Sequence, residues 1–253
     1  MIKLSSVIIT FNEERNIGRC IESLVGIADE IVVVDSGSTD KTEAICRSFG
    51  VKYIYHTFEG YGEQKNFAVS QANHDIILSL DADESLSEEL TKSILAVKEN
   101  GTGQAYKMNR MSMYGNKWIR HGNWYPDSKI RLWNRKMGKW GGYNPHDTVV
   151  LNKDTKVVQL KGDILHRWYR NAAESLDKIQ LYSEIYSRKN VDKKSSSIST
   201  IMIHSVFAFF KSYIIKRGFL DGYEGLAVAV SVANHTYYKY AKLYEATKKK
   251  YEE

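Results

Sequence analysis

Two cysteines in 253 residues, Cys20 and Cys46, exclude a disulfide-stapled scaffold; both fall in segments of helical period and read as small, reduced core residues of a cytosolic protein. The start of the chain has no signal-peptide pattern. It runs directly into Val7-Ile8-Ile9, and the expectation is a protein kept in the cytoplasm. A clean run of about 20 apolar residues, as a spanning helix wants, is also missing. The most apolar stretch, residues 198–215, is interrupted by His204, Lys211 and several serines. It is either an ordinary core helix or a helix lying in a membrane interface, with Phe207, Phe209, Phe210 and Tyr213 toward lipid and Lys211, Lys216 and Arg217 at headgroups. No Gly-rich loop carrying a Lys or Arg follows the first strand, which counts against a sugar nucleotidyltransferase. No nucleic-acid-binding motif appears either.

Acidic residues are scarce in the middle of the chain, where residues 106–200 hold 19 Lys+Arg against 8 Asp+Glu; residues 1–105 reverse this with 9 against 17. The basic middle is interleaved with Trp118, Trp124, Tyr125, Trp133, Trp140 and Tyr143. A pyrophosphate, an anionic glycolipid or a membrane surface accounts for that composition as well as a nucleic acid does. Organisation is clearest at the front, where strands at 6–10, 30–35, 51–55 and 75–80 alternate with helices at 16–24, 41–49, 62–71 and 88–98. Such alternation predicts a parallel sheet with crossover helices. From about Ala105 the pattern changes to aromatic and basic strand-like pieces with glycine turns, which predicts a mixed-sheet half ending near Trp168. Helical period returns at 172–188, at 198–215 after a polar linker, and at 223–244, with Leu226, Val230, Ala233 and Tyr237 on one stripe.

The most informative stretch is Leu78-Ser79-Leu80-Asp81-Ala82-Asp83-Glu84, a buried-strand pattern that ends abruptly in two aspartates. At a strand end both carboxylates can converge on one point, and that point suits a hard divalent cation such as Mg²⁺ or Mn²⁺, which is commonly shared with substrate phosphates. Ligands of open parallel sheets bind at the carboxyl ends of the strands. Two further strand ends carry polar groups in matching positions: Thr10-Phe11-Asn12-Glu13 and Asp35-Ser36-Gly37-Ser38-Thr39-Asp40. A nucleotide laid across the three would meet Asp35 at its base or ribose and Asp83 at its diphosphate. Helix capping explains at least one of Ser38, Thr39 and Asp40 equally well.

Taken in order, Ser6 to Glu14, Val33 to Asp40, Gln64-Lys65-Asn66 and Leu80 to Glu84 resemble a family 2 glycosyltransferase of the GT-A fold. Arg120 to Asp127, Arg131-Leu132-Trp133 and Gly218 to Gly222 look like the bacterial subgroup that adds sugars to the lipopolysaccharide inner core. The resemblance implies an α/β GT-A domain over residues 1–170, with a nucleotide-sugar-binding half at 1–105, an acceptor half at 106–170, and a C-terminal amphipathic helical region at 171–253. It implies a nucleotide-sugar donor, usually a UDP-sugar, bound by Thr10, Asn12, Glu13 and Asp35, with Lys65 near the nucleotide and Asp81 near the ribose. Asp83 would hold Mn²⁺ or Mg²⁺, and transfer would invert the anomeric carbon. The acceptor would be a lipopolysaccharide-core or other glycolipid at the inner membrane surface, with no nucleic acid involved. An acidic general base is implied at Asn144-Pro145-His146-Asp147, and Asp147 is chosen over its neighbour His146. His166 completes the metal shell or serves structurally. Arg120 and Arg131 offer bidentate contacts to a diphosphate or an anionic acceptor, and Trp124 either stacks on a sugar or belongs to the core. Transfer to polyprenyl phosphate is the nearest rival, since a phosphate nucleophile needs no strong base; a docking module without enzymatic activity is the other.

Overall fold

The computed structural model describes residues 1–101, 103–143 and 146–252, with the side chains of 143, 146 and 249–252 outside the description. In chain order the elements are β1 (Leu4–Thr10), α1 (Ile17–Glu22), β2 (Glu30–Asp35), α2 (Thr42–Ser48), β3 (Lys52–Tyr55), α3 (Tyr61–Ser70), β4 (Ile76–Asp81), β5 (Glu84–Leu86) and α4 (Glu88–Asn100). There follow β6 (Ala105–Tyr114), β7 (Lys117–Trp118), β8 (Ser128–Asn134), β9 (Gly138–Tyr143), β10 (His146–Leu151), β11 (Val157–Tyr169), α5 (Ala172–Asn190), α6 (Ile198–Phe210) and α7 (Gly222–Glu252). By contacts the chain forms two compact units, one of Met1–Arg110 with Asp127–Arg167 and one of Met111–Pro126 with Trp168–Glu253. The sequence reading placed 111–126 in the acceptor half; within it, residues 117–123 hydrogen-bond to residues 212–221 of the C-terminal segment.

In the first unit the strands run β3-β2-β1-β4 and then β8-β6-β11-β5. The first four are parallel, and the register Thr10↔Asp35 and Ile9↔Asp81 brings the carboxyl ends of β1, β2 and β4 side by side. Both faces of these strands are covered by helices, so Val7, Ile8, Val32, Val33, Ile77, Leu78 and Leu80 are all buried, as a near-continuous Val/Ile/Leu run in a parallel strand requires. Each such side chain contributes about 1.5–3 kcal/mol on burial. Cys20 and Cys46 are free thiols within this core, as the sequence implied. Beyond β4 the pairing turns antiparallel, giving the mixed half. α4 begins at Ser87, whose Oγ accepts from the Leu90 amide at 3.3 Å, and buries Leu90, Ile94 and Val97 on one stripe. β11 crosses the start of this helix at Gly162 (φ +85°), where a Cβ would lie 2.2 Å from the Leu90 nitrogen. Only glycine fits there.

The second unit is built around Asp221, buried in a 3₁₀ turn, Gly218–Asp221. Its Oδ2 accepts from the amides of Arg120 and His121 at 3.0 and 2.8 Å, its Oδ1 meets His121 Nδ1 at 3.1 Å, and its carbonyl accepts from Lys117 Nζ at 2.7 Å. The two segments that resembled one subgroup are therefore partners in space. α7 leaves this turn so closely that a Cβ on Gly225 would stand 1.9 Å from the Gly218 carbonyl oxygen. α7 buries Val228, Ala229 and Leu243, whereas Leu226, Val230 and Tyr237 of the expected stripe are exposed. Residues 226–230, Leu-Ala-Val-Ala-Val, are apolar all round, so periodicity alone gives no side, and the close approach at Gly225 sets the rotation. The expected helix at 198–215 is α6 followed by a π-turn at Lys211–Ile215.

Candidate active site

The Asp81 amide donates to Glu84 Oε2 at 2.9 Å, which ties down the turn after β4. Around it runs a line of alternating charge. Asp147 Oδ2 lies 2.7 Å from Lys65 Nζ, Lys65 Nζ lies 2.9 Å from Asp81 Oδ1, and Asp81 Oδ2 lies 3.0 Å from Arg131 Nη2. Arg131 Nη2 continues to Glu84 Oε1 at 2.9 Å, and Arg110 joins Glu84 at 3.5 Å to Asp127 at 2.8 Å. The Lys65–Asp81 contact is an ion pair without hydrogen-bond alignment. Lys65, Arg131 and Glu84 are 4%, 3% and 1% exposed, so each is compensated inside the protein rather than by water. Burial opposes ionisation of Asp81, but Lys65 and Arg131 outweigh it and hold this carboxyl well below the usual range. Burial likewise opposes the charge on Arg131, and Glu84 and Asp81 more than restore it. Arg131, proposed from sequence as a diphosphate or acceptor contact, is buried with Nη2 on Asp81 and Glu84, while its Nε and Nη1 have no hydrogen-bond partner.

Three consecutive side chains of α3 tie five strands together at this cluster. Gln64 reaches the ends of β2 and β3, its Nε2 donating to Ser36 Oγ at 3.0 Å and to the His56 carbonyl at 3.2 Å. Asn66 pins the backbone of Trp140 in β9 in both directions, at 2.9 and 3.0 Å. That clamp sets the indole beneath two cations, 4.5 Å from Lys65 Nζ and 5.4 Å from the Arg131 guanidinium. Lys65 itself bridges Asp81 on β4 and Asp147 on β10. Tyr61, one helical turn before Lys65 on the same face, has its phenol pushed up by burial and by Asp81, Asp147 and Asp83 nearby.

Asp83 occupies a second position. Its Oδ2 is 3.1 Å from His166 Nε2, and its carbonyl accepts from the Arg167 amide at 3.1 Å. Burial opposes its ionisation and His166 prevails, holding the carboxyl low. Arg19, whose Nη2 donates to Asn16 Oδ1 at 2.7 Å, has its own proton affinity lowered by burial and by the Arg167 guanidinium. A carboxylate oxygen and an imidazole nitrogen side by side are a donor set that Mn²⁺ accepts, whereas Mg²⁺ would use the carboxylate alone, with the remaining positions left to phosphate and water. Among the described residues no group of three or more His, Cys, Asp or Glu side chains could hold a metal without such help.

The loops after β1 and β2 zip together. Asn12, at φ 54°, donates its amide to Ser38 Oγ at 2.7 Å, and its own Oδ1 accepts from the Thr39 amide at 2.8 Å. The Glu13 amide donates to Thr42 Oγ1 at 2.8 Å, and Glu13 Oε2 accepts from Asn16 Nδ2 at 2.6 Å. Asp35 is 1% exposed; Oδ1 accepts from the Gly37 and Ser38 amides at 2.7 Å each, and Ser38 Oγ donates to Oδ2. Thr10 Oγ1, by contrast, is buried with no hydrogen-bond partner.

The first unit therefore gathers Thr10, Asn12, Glu13, Asp35, Lys65, Asp81, Asp83, Arg131, Asp147 and His166. It does not contain Arg120 or Trp124. Arg120 is exposed in the second unit, and Trp124 packs there against Trp168 at 4.6 Å and Tyr169 at 5.5 Å, which is the core alternative. The side chain of His146, the rival to Asp147, lies outside the described residues. Sequence reasoning missed Tyr61, Glu84 and Arg110. Tyr61 could have been found from its spacing to Lys65, and Glu84 from its place in the turn; Arg110 is set by a strand pairing with no local signal.

Parallel strands ending in a carboxylate cluster, continued by a mixed half, define an α/β enzyme of the GT-A glycosyltransferase class. The chain belongs to glycosyl transferase family 2, whose profile matches residues 5–156. It is 34% identical over 255 residues to an uncharacterized glycosyltransferase of Rickettsia bellii, covering 96% of this chain and 86% of that protein. It is 28% identical, over 96% of this chain and 93% of the other, to the lipopolysaccharide core biosynthesis glycosyltransferase LpsC of Rhizobium meliloti. Among solved structures, glucosyl-3-phosphoglycerate synthase from Mycobacterium tuberculosis in complex with Mn²⁺, UDP and phosphoglyceric acid is 25% identical, covering 45% of this chain and 43% of that one at a TM-score of 0.37.

Proposed function

We propose that this glycosyltransferase is divalent-cation-dependent and inverting, and that it moves a sugar from a UDP-sugar to a lipopolysaccharide-core or related glycolipid acceptor at the cytoplasmic face of the inner membrane. The observation that carries the reading is the pairing of Asp83 with His166 beside the Asp81–Lys65–Asp147 bridge, both built on the carboxyl end of β4, where ligands of parallel sheets bind. The similarity to LpsC along nearly the whole chain supports the acceptor class.

In this reading Thr10 offers its unpartnered hydroxyl to the nucleoside, and Asn12, Glu13 and Asp35 shape that pocket through the loop contacts above. Asp83 would hold Mg²⁺, or with His166 Mn²⁺, which when bound stabilises negative charge on the leaving diphosphate. Asp147, 2.7 Å from Lys65 Nζ, takes the proton from the acceptor hydroxyl as its oxygen attacks the anomeric carbon. The bond from that carbon to the diphosphate oxygen breaks, and nucleoside diphosphate leaves. Lys65 lies between the base and Asp81, positioned to meet the growing charge of the leaving group.

The test is a screen of UDP-, GDP-, ADP- and CMP-sugars for binding and hydrolysis, with and without Mn²⁺, on the wild type, Asp83→Ala and Asp147→Asn. Manganese-dependent turnover of a UDP-sugar, lost in Asp83→Ala, is expected. Binding of none of the four donors would sink the proposal. Transfer retained in Asp147→Asn would move the acceptor to polyprenyl phosphate, whose oxygen is already deprotonated.

A further inference from the structure

The second unit leaves one long face of apolar side chains uncovered. On α6 and the π-turn that follows it, Ile203, Val206, Phe207, Phe210, Ile214 and Ile215 are each 49–66% exposed. Their spacing traces one helical stripe. The opposite face is anchored: Ile201 and Ser212 are buried, and the His204 ring lies 5.0 Å from Tyr240 of α7. Continuous apolar surface of this kind marks a protein or a membrane partner.

Charge decides which. Residues 198–217 contain no Asp or Glu, and the three basic side chains among them, Lys211, Lys216 and Arg217, are all exposed at the same end of the stripe. Phe219 and Leu220, 46% and 54% exposed, continue the apolar surface just beyond Arg217. A protein partner gives no reason for that segregation, whereas an anionic bilayer does: hydrocarbon takes the stripe and headgroup phosphates take the basic end. By length and composition the helix over 198–215 is sufficient to cross a bilayer; its other side is held against α7, with Ile201 and Ser212 buried, so a single face is offered to lipid.

We propose that the exposed face of α6 and the following π-turn is a monotopic docking surface for an anionic lipid bilayer. Phe207 and Phe210 enter the acyl boundary; Lys211, Lys216 and Arg217 sit at the level of the phosphates. The inference rests on the glycolipid-acceptor reading for its biological sense, but it is tested without the transfer reaction.

The experiment is co-sedimentation of the full chain with phosphatidylethanolamine–phosphatidylglycerol vesicles and with phosphatidylcholine vesicles. Binding to the anionic vesicles that weakens with added salt is expected, with little binding to the neutral ones. Phe207→Glu with Phe210→Glu should weaken it by about tenfold or more, because two apolar anchors are lost. Lys211→Glu with Arg217→Glu should remove the preference for anionic lipid while leaving circular dichroism and melting unchanged, which guards against an unfolded first variant. Equal binding by wild type and both variants would overturn the proposal, as would a wild type that ignores lipid yet forms a concentration-dependent dimer abolished by Phe207→Glu. Hydrolysis of a soluble nucleotide-sugar serves as the separating control. A wild type that hydrolyses the donor but binds no vesicles defeats only the docking surface; a wild type that binds vesicles but hydrolyses no donor defeats only the transferase mechanism.

Discussion

Two aspartates two residues apart do different work in this site, and single substitutions should separate them. Asp83 has His166 as its hydrogen-bonded side-chain partner and forms no ion pair with Lys or Arg among the described residues comparable to those of Arg131. Asp83→Ala should therefore lower kcat/KM by about 10²–10³ while the melting temperature moves little, checked by donor turnover beside a thermal melt. Arg131 is the reverse case. Arg131→Met leaves Glu84, 1% exposed, with the Asp81 amide and, among the described residues, Arg110 at 3.5 Å as its one paired cation, and the loss should be about 3–5 kcal/mol in urea unfolding. A variant as stable as wild type would mean that Glu84 takes up a proton or finds water. At this scale the sequence disclosed a good deal, because the apolar strand ending in Asp81-Ala82-Asp83 is a local pattern. It disclosed nothing of how Lys65 is held: Asn66 acts on the Trp140 backbone, 74 residues away, and no spacing rule reaches that far. Nor did it show that Arg131 is buried with Nη2 against Asp81 and Glu84, since an arginine in a basic segment carries no local sign of that pairing.

Elements were legible wherever alternation or period was clean. The eight strands and helices expected in the first hundred residues match β1 to β4 and α1 to α4 to within a few residues at each end, with only the short β5 unforeseen. α7 was placed correctly at its start, ended eight residues short of Glu252, and was rotated wrongly, because an all-apolar stretch carries no phase. What fixes the phase is contact: the absence of a side chain at Gly225 lets α7 start against the Gly218 carbonyl. Gly225→Ala should lower stability by about 1–3 kcal/mol through overpacking, seen as a fall in melting temperature. Gly162→Ala should do the same in the first unit, where the new methyl meets backbone of α4 rather than a yielding side chain. An unchanged melt in either variant would show that the neighbouring turn gives way freely.

Charge governs the molecule as a whole, and its acid limit follows from which carboxyls are held low. Burial opposes ionisation of Asp29, yet Lys98, the Leu4 amide and Lys3 hold it well below the usual range; Asp127 is held down against burial by Arg110 and Lys129. A carboxyl whose folded value is depressed adds stability that is fully present above its unfolded value, about 4, and is lost as pH falls through the folded one. The melting temperature should thus be level from pH 8 to 5 and drop below about pH 4. A melt that holds or rises from pH 5 to 3 would contradict the assignment. The acidic front and basic middle were plain in the composition, but the division of the chain was not, because a sequence read in order suggests blocks in order. The polypeptide instead passes between its two units three times. On the ribosome this imposes a wait: the Arg120 and His121 amides emerge about a hundred residues before the Asp221 carboxylate that receives them. At roughly 5–20 residues per second that is a delay of about 5–20 s, during which a nascent chain carries an aromatic segment with no partner yet made. Synthesis of this protein should accordingly lean on holding chaperones until its last helix is out.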